Sequence, residues 1–340
     1  MKKKLIHKFL NQAKKEKRRL VIPLVGFPGL NLTGCTVKLA QQNFGEHYKV
    51  LKAIAETFNP DAIFPLMDLS VEANALGRYT IFPKGESATV IREEFKPEDL
   101  AAAEQVNILY DTRLLGYVET IKLLNHGLQP SILRGAYVTG PYTLAALLLG
   151  ADEAARDTIE KCDELMKLCR FTTSKILDYV RLLISNGAQI ICILEPSAVM
   201  LGPIQFEQFS GCFVKSIVND CRNSETSLVY HICGNSMHLI EKMAESGVDA
   251  LSLDSPDSGV DLNAAADKIS SDLIIMGNIN PTGTILYGHP DEVEIEVSCL
   301  LNKMEHYPNF ILSTGCDLPQ DIPIENIIAF MHAGQKYRIN

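Results

Sequence analysis

His231-Ile232-Cys233 and, far downstream, Cys316 in Ser313-Thr314-Gly315-Cys316-Asp317 carry the chemistry most legible in this chain. One imidazole and two thiols are three ligands of the kind that zinc takes in catalytic sites, where a fourth position stays open. Thiolate donors suit zinc and disfavour magnesium or calcium. Two thiolates with a neutral imidazole give Zn²⁺ a neutral shell. A substrate thiol entering the open position would have its pKa lowered and stay ionised at neutral pH. The pair alone is weak, because most His-x-Cys pairs are core residues. Cys35, Cys162, Cys169, Cys192, Cys212, Cys221 and Cys299 lack a comparable partner and read as small core or helix residues. His47, His126, His238, His289 and His306 take the same structural reading.

Elements that bring His231, Cys233 and Cys316 together are legible as short apolar runs: Leu20–Val25, Ala62–Met67, Ser131–Val138, Gln189–Leu194, Ser227–His231, Ala250–Asp254, Leu273–Gly277 and Phe310–Ser313. They are rich in Ile, Val and Leu and mostly do not alternate, as parallel strands buried on both faces do. Helical stretches separate them: one begins at Leu239–Ala244 and closes at Gly247, and others span Glu292–Met304 and Ile324–Ala333. Strands alternating with helices in this number predict a closed α/β fold, a (β/α)8 TIM barrel. The whole chain, 1–340, is expected to form that single domain. Residues 1–19 form a basic N-terminal helical extension, and residues 78–97 an insertion with a small hairpin.

In such a barrel the chemistry lies at the carboxyl ends of the strands. Asp68, Glu195, His231, Cys233, Asp254, Asn278 and Cys316 all fall there. Residues i and i+2 of a strand point the same way, so His231 and Cys233 can reach one ion together. Asp254, Asp68 and Glu195 are the candidate catalytic carboxylates. Asp254 or Glu195 could fill the open metal position in the resting state. Asp254 is favoured as an exchangeable fourth ligand, because its strand neighbours the one carrying His231. The alternative for Asp254 is a cap on the following turn.

Composition narrows the function. The chain has 340 residues, 46% of them hydrophobic, and a formal charge of -9, so bulk electrostatics exclude a nucleic-acid partner. Lys2, Lys3, Lys4, Lys8, Lys14, Lys15, Lys17, Arg18 and Arg19 crowd the N-terminus. They predict a solvated helix packed on the barrel, with a docking patch for an acidic partner as the alternative. The N-terminus holds no apolar segment like that of a signal peptide, and no run is long enough to span a membrane. Nine scattered cysteines without an export signal predict reduced thiols in the cytoplasm.

Three segments together resemble a known family: His231-Ile232-Cys233-Gly234-Asn235, Ser246-Gly247-Val248-Asp249-Ala250-Leu251-Ser252-Leu253-Asp254, and Leu312-Ser313-Thr314-Gly315-Cys316-Asp317-Leu318-Pro319. They resemble the methylcobamide:coenzyme M methyltransferases, a branch of the uroporphyrinogen decarboxylase superfamily with the (β/α)8 fold. Pro65–Gly77 and Gly140-Pro141-Tyr142-Thr143-Leu144-Ala145 resemble two further superfamily segments. The resemblance spans residues 20 to 335. It implies zinc held by His231, Cys233 and Cys316, with Asp254 at the position of a carboxylate ligand. It also implies a methylated corrinoid (methylcobalamin) on a small corrinoid protein as donor, and coenzyme M as acceptor, within one-carbon metabolism such as methanogenesis. The acceptor thiolate would attack the methyl group of methyl-Co(III) in line and leave Co(I). Two departures open alternatives. The decarboxylases carry an arginine-rich loop near the N-terminus, whereas Gly26–Gly34 here has no arginine, and a polycarboxylate substrate needs cations. Val25–Gly29 also differs from the coenzyme M enzymes, so another thiol or tetrahydrofolate stands as an alternative acceptor. A decarboxylase-like activity and a non-enzymatic corrinoid-binding or assembly module are the remaining alternatives.

Overall fold

Alternation within the apolar runs sets the architecture. In a strand, every second side chain faces the same way. Ile190, Cys192 and Leu194 therefore share one side, and so do Ile274 and Met276; all five are buried in one cluster with Val229, Ala250 and Ile311. Side chains of the opposite parity, such as Ile191, Ile193 and Leu251, join a separate, larger core with the helices. A chain with two such cores is a ring of strands inside a ring of helices.

A computed structural model describes residues 4–91, 97–222 and 224–339 of the chain. Its strands are β1 (Ala62–Ile63), β2 (Thr80–Ile81), β3 (Thr89–Val90), β4 (Leu133–Thr139), β5 (Ile190–Leu194), β6 (Ser227–Ile232), β7 (Ala250–Leu253), β8 (Ile274–Ile279) and β9 (Phe310–Thr314). Seven of them form one parallel sheet in the order β1-β4-β5-β6-β7-β8-β9. Residues 20–25 lie between its two edges. The Ile22 amide donates to Leu312 O at 2.9 Å, the Leu312 amide to Leu20 O at 3.1 Å, and on the other side the Asp61 amide to Val21 O at 3.0 Å. The sheet thus curls into a TIM-barrel-like ring.

The closing stave differs from the full strand expected at Leu20–Val25. Among the described residues, its one strand-type pairing is a bridge from Val21 to Leu312. Pro23 has no amide to donate, so the ladder cannot continue through it. On the β1 side, Asp61 secures the stave with its side chain: its Oδ2 accepts from the Val21 amide at 2.7 Å. Likewise β1 stops at Ile63, two residues before Pro65, instead of running to Met67.

The amino end of the barrel is stoppered by the helix Leu5–Lys15, shorter than the 1–19 read from the sequence; residues 1–3 lie outside the described ones. Ile6, Leu10 and Ala13 recur at helical spacing and join the interior cluster. The Leu5 amide donates to Glu225 O at 2.9 Å, and the Ile6 amide to Ser227 Oγ at 3.0 Å, at the first residue of β6. Lys4 Nζ donates to Cys221 O at 2.8 Å. Within the segment 78–97, β2 and β3 pair antiparallel, Thr80 opposite Val90, while residues 92–96 lie outside the described ones. No helix among the described residues is long and apolar enough to cross a membrane.

With the amino end plugged, access to the interior is left to the carboxyl end, where the loops carry the polar residues. If the plug is integral, Leu10→Ala should cost about 2–5 kcal/mol, as other buried Leu truncations do. The urea midpoint would fall with little change in slope. A cost under about 0.5 kcal/mol, the scale of a surface change, would show instead that the helix merely rests on the barrel.

Candidate metal centre

The inward parity of β6 continues from Val229 to His231, which is fully buried, and on to Cys233 just past the strand end. On β7 the inward series runs Ala250, Ser252 and then Asp254. Register places His231 directly opposite Ser252, and His231 Nδ1 lies 3.0 Å from Ser252 Oγ. That contact fixes the ring and leaves Nε2 facing the strand end, the arrangement in which a second partner orients a metal-ligating histidine.

Cys316 arrives from the turn after β9. Its approach requires Gly315, because a Cβ there would lie 2.6 Å from the Ser255 amide nitrogen and 3.0 Å from the Asp254 carbonyl carbon. His231 Nε2 is 3.1 Å from Cys233 Sγ and 3.7 Å from Cys316 Sγ, and the two sulfurs are 3.3 Å apart. Among the described residues, this is the one group of three or more His, Cys, Asp or Glu ligand atoms close enough to share an ion.

The triangle fits zinc. Tetrahedral zinc with ordinary Zn–N and Zn–S bonds has N–S edges of about 3.6 Å and S–S edges of about 3.8 Å. The edges here lie within about 0.5 Å of those values, and the donors, two sulfurs and a nitrogen, are those zinc prefers. Electrostatics point the same way. Burial pushes the His231 pKa down, but the neighbouring Cys316 and Asp254 outweigh it and the net direction is up. Cys316 is pushed well above the usual thiol range by its contact with Cys233 and by burial, against the pull of His231. A dication at this position would offset the raised pKa of Cys316.

The carboxylates expected at the strand ends take varied positions. Asp254 lies beside the triangle but is not part of the three-residue group. Its Oδ2 accepts from the Gly234 amide at 2.5 Å and its Oδ1 from the Ser255 amide at 2.5 Å, so it ties the Cys233 turn to the β7 loop. Asn278 supports the same loop, donating from Nδ2 to Asp254 O at 2.9 Å. Glu195 has the parity opposite to Leu194 and is fully buried among the helices. Its Oε1 accepts from the Tyr142 amide at 2.9 Å and Ser210 Oγ at 2.6 Å, and its Oε2 from the Thr143 amide at 2.9 Å. That is a carboxylate seated on the first turn of the helix Pro141–Leu149. Asp68 is buried as well: Oδ1 accepts from Ser70 N at 3.0 Å and Ser70 Oγ at 2.7 Å, and Oδ2 from Tyr117 OH at 2.9 Å and from Arg113.

Two residues near the triangle escaped the sequence reading. Asp317 follows Cys316 and accepts from the Met67 amide at 3.2 Å and the Leu318 amide at 3.1 Å. Burial raises its pKa to about 7, although amide donors and His231 pull it down. Tyr137 is the inward residue of β4, stacked on Phe64 with ring centroids 5.0 Å apart. Its hydroxyl pKa is pushed well up by burial and by the charges of Asp317, Cys192, Cys316 and Cys233. Inward parity on β4 was the available signal for Tyr137. For Asp317 the sequence offered only its adjacency to Cys316.

The family model described as "Uroporphyrinogen decarboxylase (URO-D)" matches residues 33–337. A uroporphyrinogen decarboxylase of Prochlorococcus marinus subsp. pastoris is 27% identical over 288 residues, covering 82% of this chain and 80% of that protein. The methylcobamide:CoM methyltransferase MtbA of Methanosarcina mazei is 26% identical over 257 residues, covering 74% of this chain and 73% of its own length. Among solved structures, a methyltransferase from Methanosarcina mazei superposes with a TM-score of 0.86 at 22% identity, covering 98% of both chains. A B12-independent methionine synthase from Shewanella superposes with a TM-score of 0.59 at 12% identity. The two superpositions establish the fold.

If the triangle is a zinc site, Cys316→Ser should lose most of the metal from protein purified without chelator while circular dichroism stays unchanged. Ser252→Ala should keep the site but weaken zinc affinity by about 10–100-fold, read by competition with a chromogenic chelator. Full zinc retention by Cys316→Ser would remove Cys316 from the ligand set.

Proposed function

The chain belongs to the uroporphyrinogen decarboxylase family, and within it we propose a zinc-dependent methyltransferase that moves a methyl group from a methylated corrinoid to a thiol. One observation carries this reading: the convergence of His231 Nε2, Cys233 Sγ and Cys316 Sγ within 3.7 Å of one another at the open end of the barrel. Bound zinc would supply a Lewis acid that holds the acceptor sulfur as a thiolate at neutral pH.

The chain's own residues do the rest. Ser252 orients the imidazole, and Gly315 admits the second thiol. Asp254 holds the turn that carries Cys233, and we propose that it could serve as an exchangeable fourth ligand only by giving up these amide contacts, which it would regain when the thiol displaces it. Glu195 and Asp68 act as positioning residues, fixing the Pro141–Leu149 helix and the segment after β1. In the transfer the acceptor sulfur forms a bond to the methyl carbon while the cobalt–carbon bond breaks, and its electron pair stays on cobalt as Co(I). The donor corrinoid would be carried by a small partner protein docking over the barrel mouth. Coenzyme M is the acceptor suggested by the MtbA relative, with another thiol or tetrahydrofolate as alternatives.

Decarboxylase relatives such as the Prochlorococcus protein support a second reading, uroporphyrinogen decarboxylation. Against it, Gly26–Gly34 offers no arginine to a polycarboxylate. Incubation with methylcobalamin and a thiol should bleach the methylcobalamin spectrum, dependent on zinc and on Cys233. Turnover of uroporphyrinogen by protein with Cys316→Ser fully active would favour the decarboxylase reading.

Activity should also fall on the acid side. Protons compete with zinc for His231 and the thiols, and the raised folded-state pKa values of His231 and Cys316 start that competition at a higher pH than for the free groups. Zinc retention and rate should decline together as pH drops below neutrality. A rate flat down to about pH 4, below the free imidazole and thiol pKa values, would contradict the assignment.

A further inference from the structure

A second cavity of about 510 Å³ opens on the carboxyl face, and none of His231, Cys233, Cys316 or Asp317 lines it. Its walls come from three loops: Leu30–Lys38 after the closing stave, Phe82–Gly85 at the tip of the β2–β3 hairpin, and Gln320 after β9. Each loop follows a stave at its carboxyl end, so the cavity belongs to the same rim as the metal centre. Gln320 lies four residues beyond Cys316, which limits the separation to about 14 Å of extended chain.

The lining has the chemistry of an anion site. Lys38 and Lys84 both face it, and among the described residues neither is paired with a carboxylate. The nearby acid Glu46 is engaged by Lys49 at 2.6 Å. Lys38 Nζ stands 5.8 Å from the centroid of Phe82, whose ring also carries Arg113 at 4.9 Å. The inner wall is a reciprocal amide pair: Asn31 Nδ2 donates to Gln320 O at 2.7 Å and Gln320 Nε2 to Asn31 Oδ1 at 3.1 Å. In a chain of formal charge -9, two unpaired ammonium groups across one cleft are a local inversion of sign that attracts anions.

We infer that this cavity is an anion-binding subsite, separate from the metal centre, that takes the anionic end of an acceptor whose thiol end lies at His231, Cys233 and Cys316. The inference rests on the proposed function only for what the other end of the ligand does. It calls for an acceptor that carries a phosphate, sulfonate or carboxylate on an arm reaching from the metal centre to the cavity on the same rim. The hairpin thereby becomes a specificity element, because Phe82, Pro83, Lys84 and Gly85 supply one wall.

Calorimetry on the zinc-loaded full chain tests this with four probes: pyrophosphate, pantetheine, phosphopantetheine and mercaptoethanesulfonate. Phosphopantetheine should bind about tenfold or more tightly than neutral pantetheine, the scale of one charge-assisted contact. In the double variant Lys38→Gln, Lys84→Gln that advantage should shrink to about threefold or less, with circular dichroism and zinc content unchanged. Loss confined to phosphopantetheine identifies a long arm, and loss shared by mercaptoethanesulfonate shows that a short arm also reaches the lysines. Pyrophosphate binding that depends on the two lysines supports the pocket even if the chain holds no zinc, in which case the proposed function fails alone. Unchanged binding of all three charged probes in the double variant would overturn the subsite.

Discussion

The second thiol reaches the first only because the β9 turn can lie directly against the β7 loop. Gly315 has no side chain where a Cβ would strike the backbone of Asp254 and Ser255. Those contact atoms belong to main chain, so no rotamer change could relieve them. The same loop is tied to the Cys233 turn through the Asp254 carboxylate and braced from below by Asn278. Three strand ends, β6, β7 and β9, are thereby locked into one arrangement, and the triangle of donor atoms is its result. Sites held on strand ends of a closed barrel keep their geometry better than sites built on free loops.

Charge bears on whether this arrangement suits an ion or a pair of core thiols. Buried thiols resist ionisation, and the interaction of Cys316 with Cys233 and with burial drives its pKa up. The imidazole beside them is driven in the opposite sense from a buried histidine such as His47, whose pKa falls to about 3 by desolvation alone. A cluster whose groups push each other away from ordinary values marks a functional site more often than a structural one. A dication among the three donors would remove the conflict by favouring the thiolate of Cys316 and the neutral imidazole of His231.

The sequence discloses the barrel and the three residues that cluster at its mouth more readily than the surroundings of the carboxylates. Apolar runs were visible because parallel strands are buried on both faces, but Pro23 and Pro65 cut two of them shorter than composition suggests. His231 and Cys233 were legible because period two carries both to one side of β6. Glu195 was harder, since a carboxylate at a strand end looks the same whether it faces the mouth or the helix layer. Its parity relative to Leu194 would have separated the two cases. Asp317 and Tyr137 become visible only when β4 and the β9 turn are brought together in space, which no local pattern encodes.

The most direct test is zinc K-edge X-ray absorption on the protein purified without chelator, before and after addition of an acceptor thiol. The account predicts two sulfur scatterers at about 2.3 Å and nitrogen or oxygen at about 2.0–2.1 Å in the resting protein, rising to three sulfurs when the thiol binds. A chain without zinc, or a zinc shell that holds no sulfur, would contradict it.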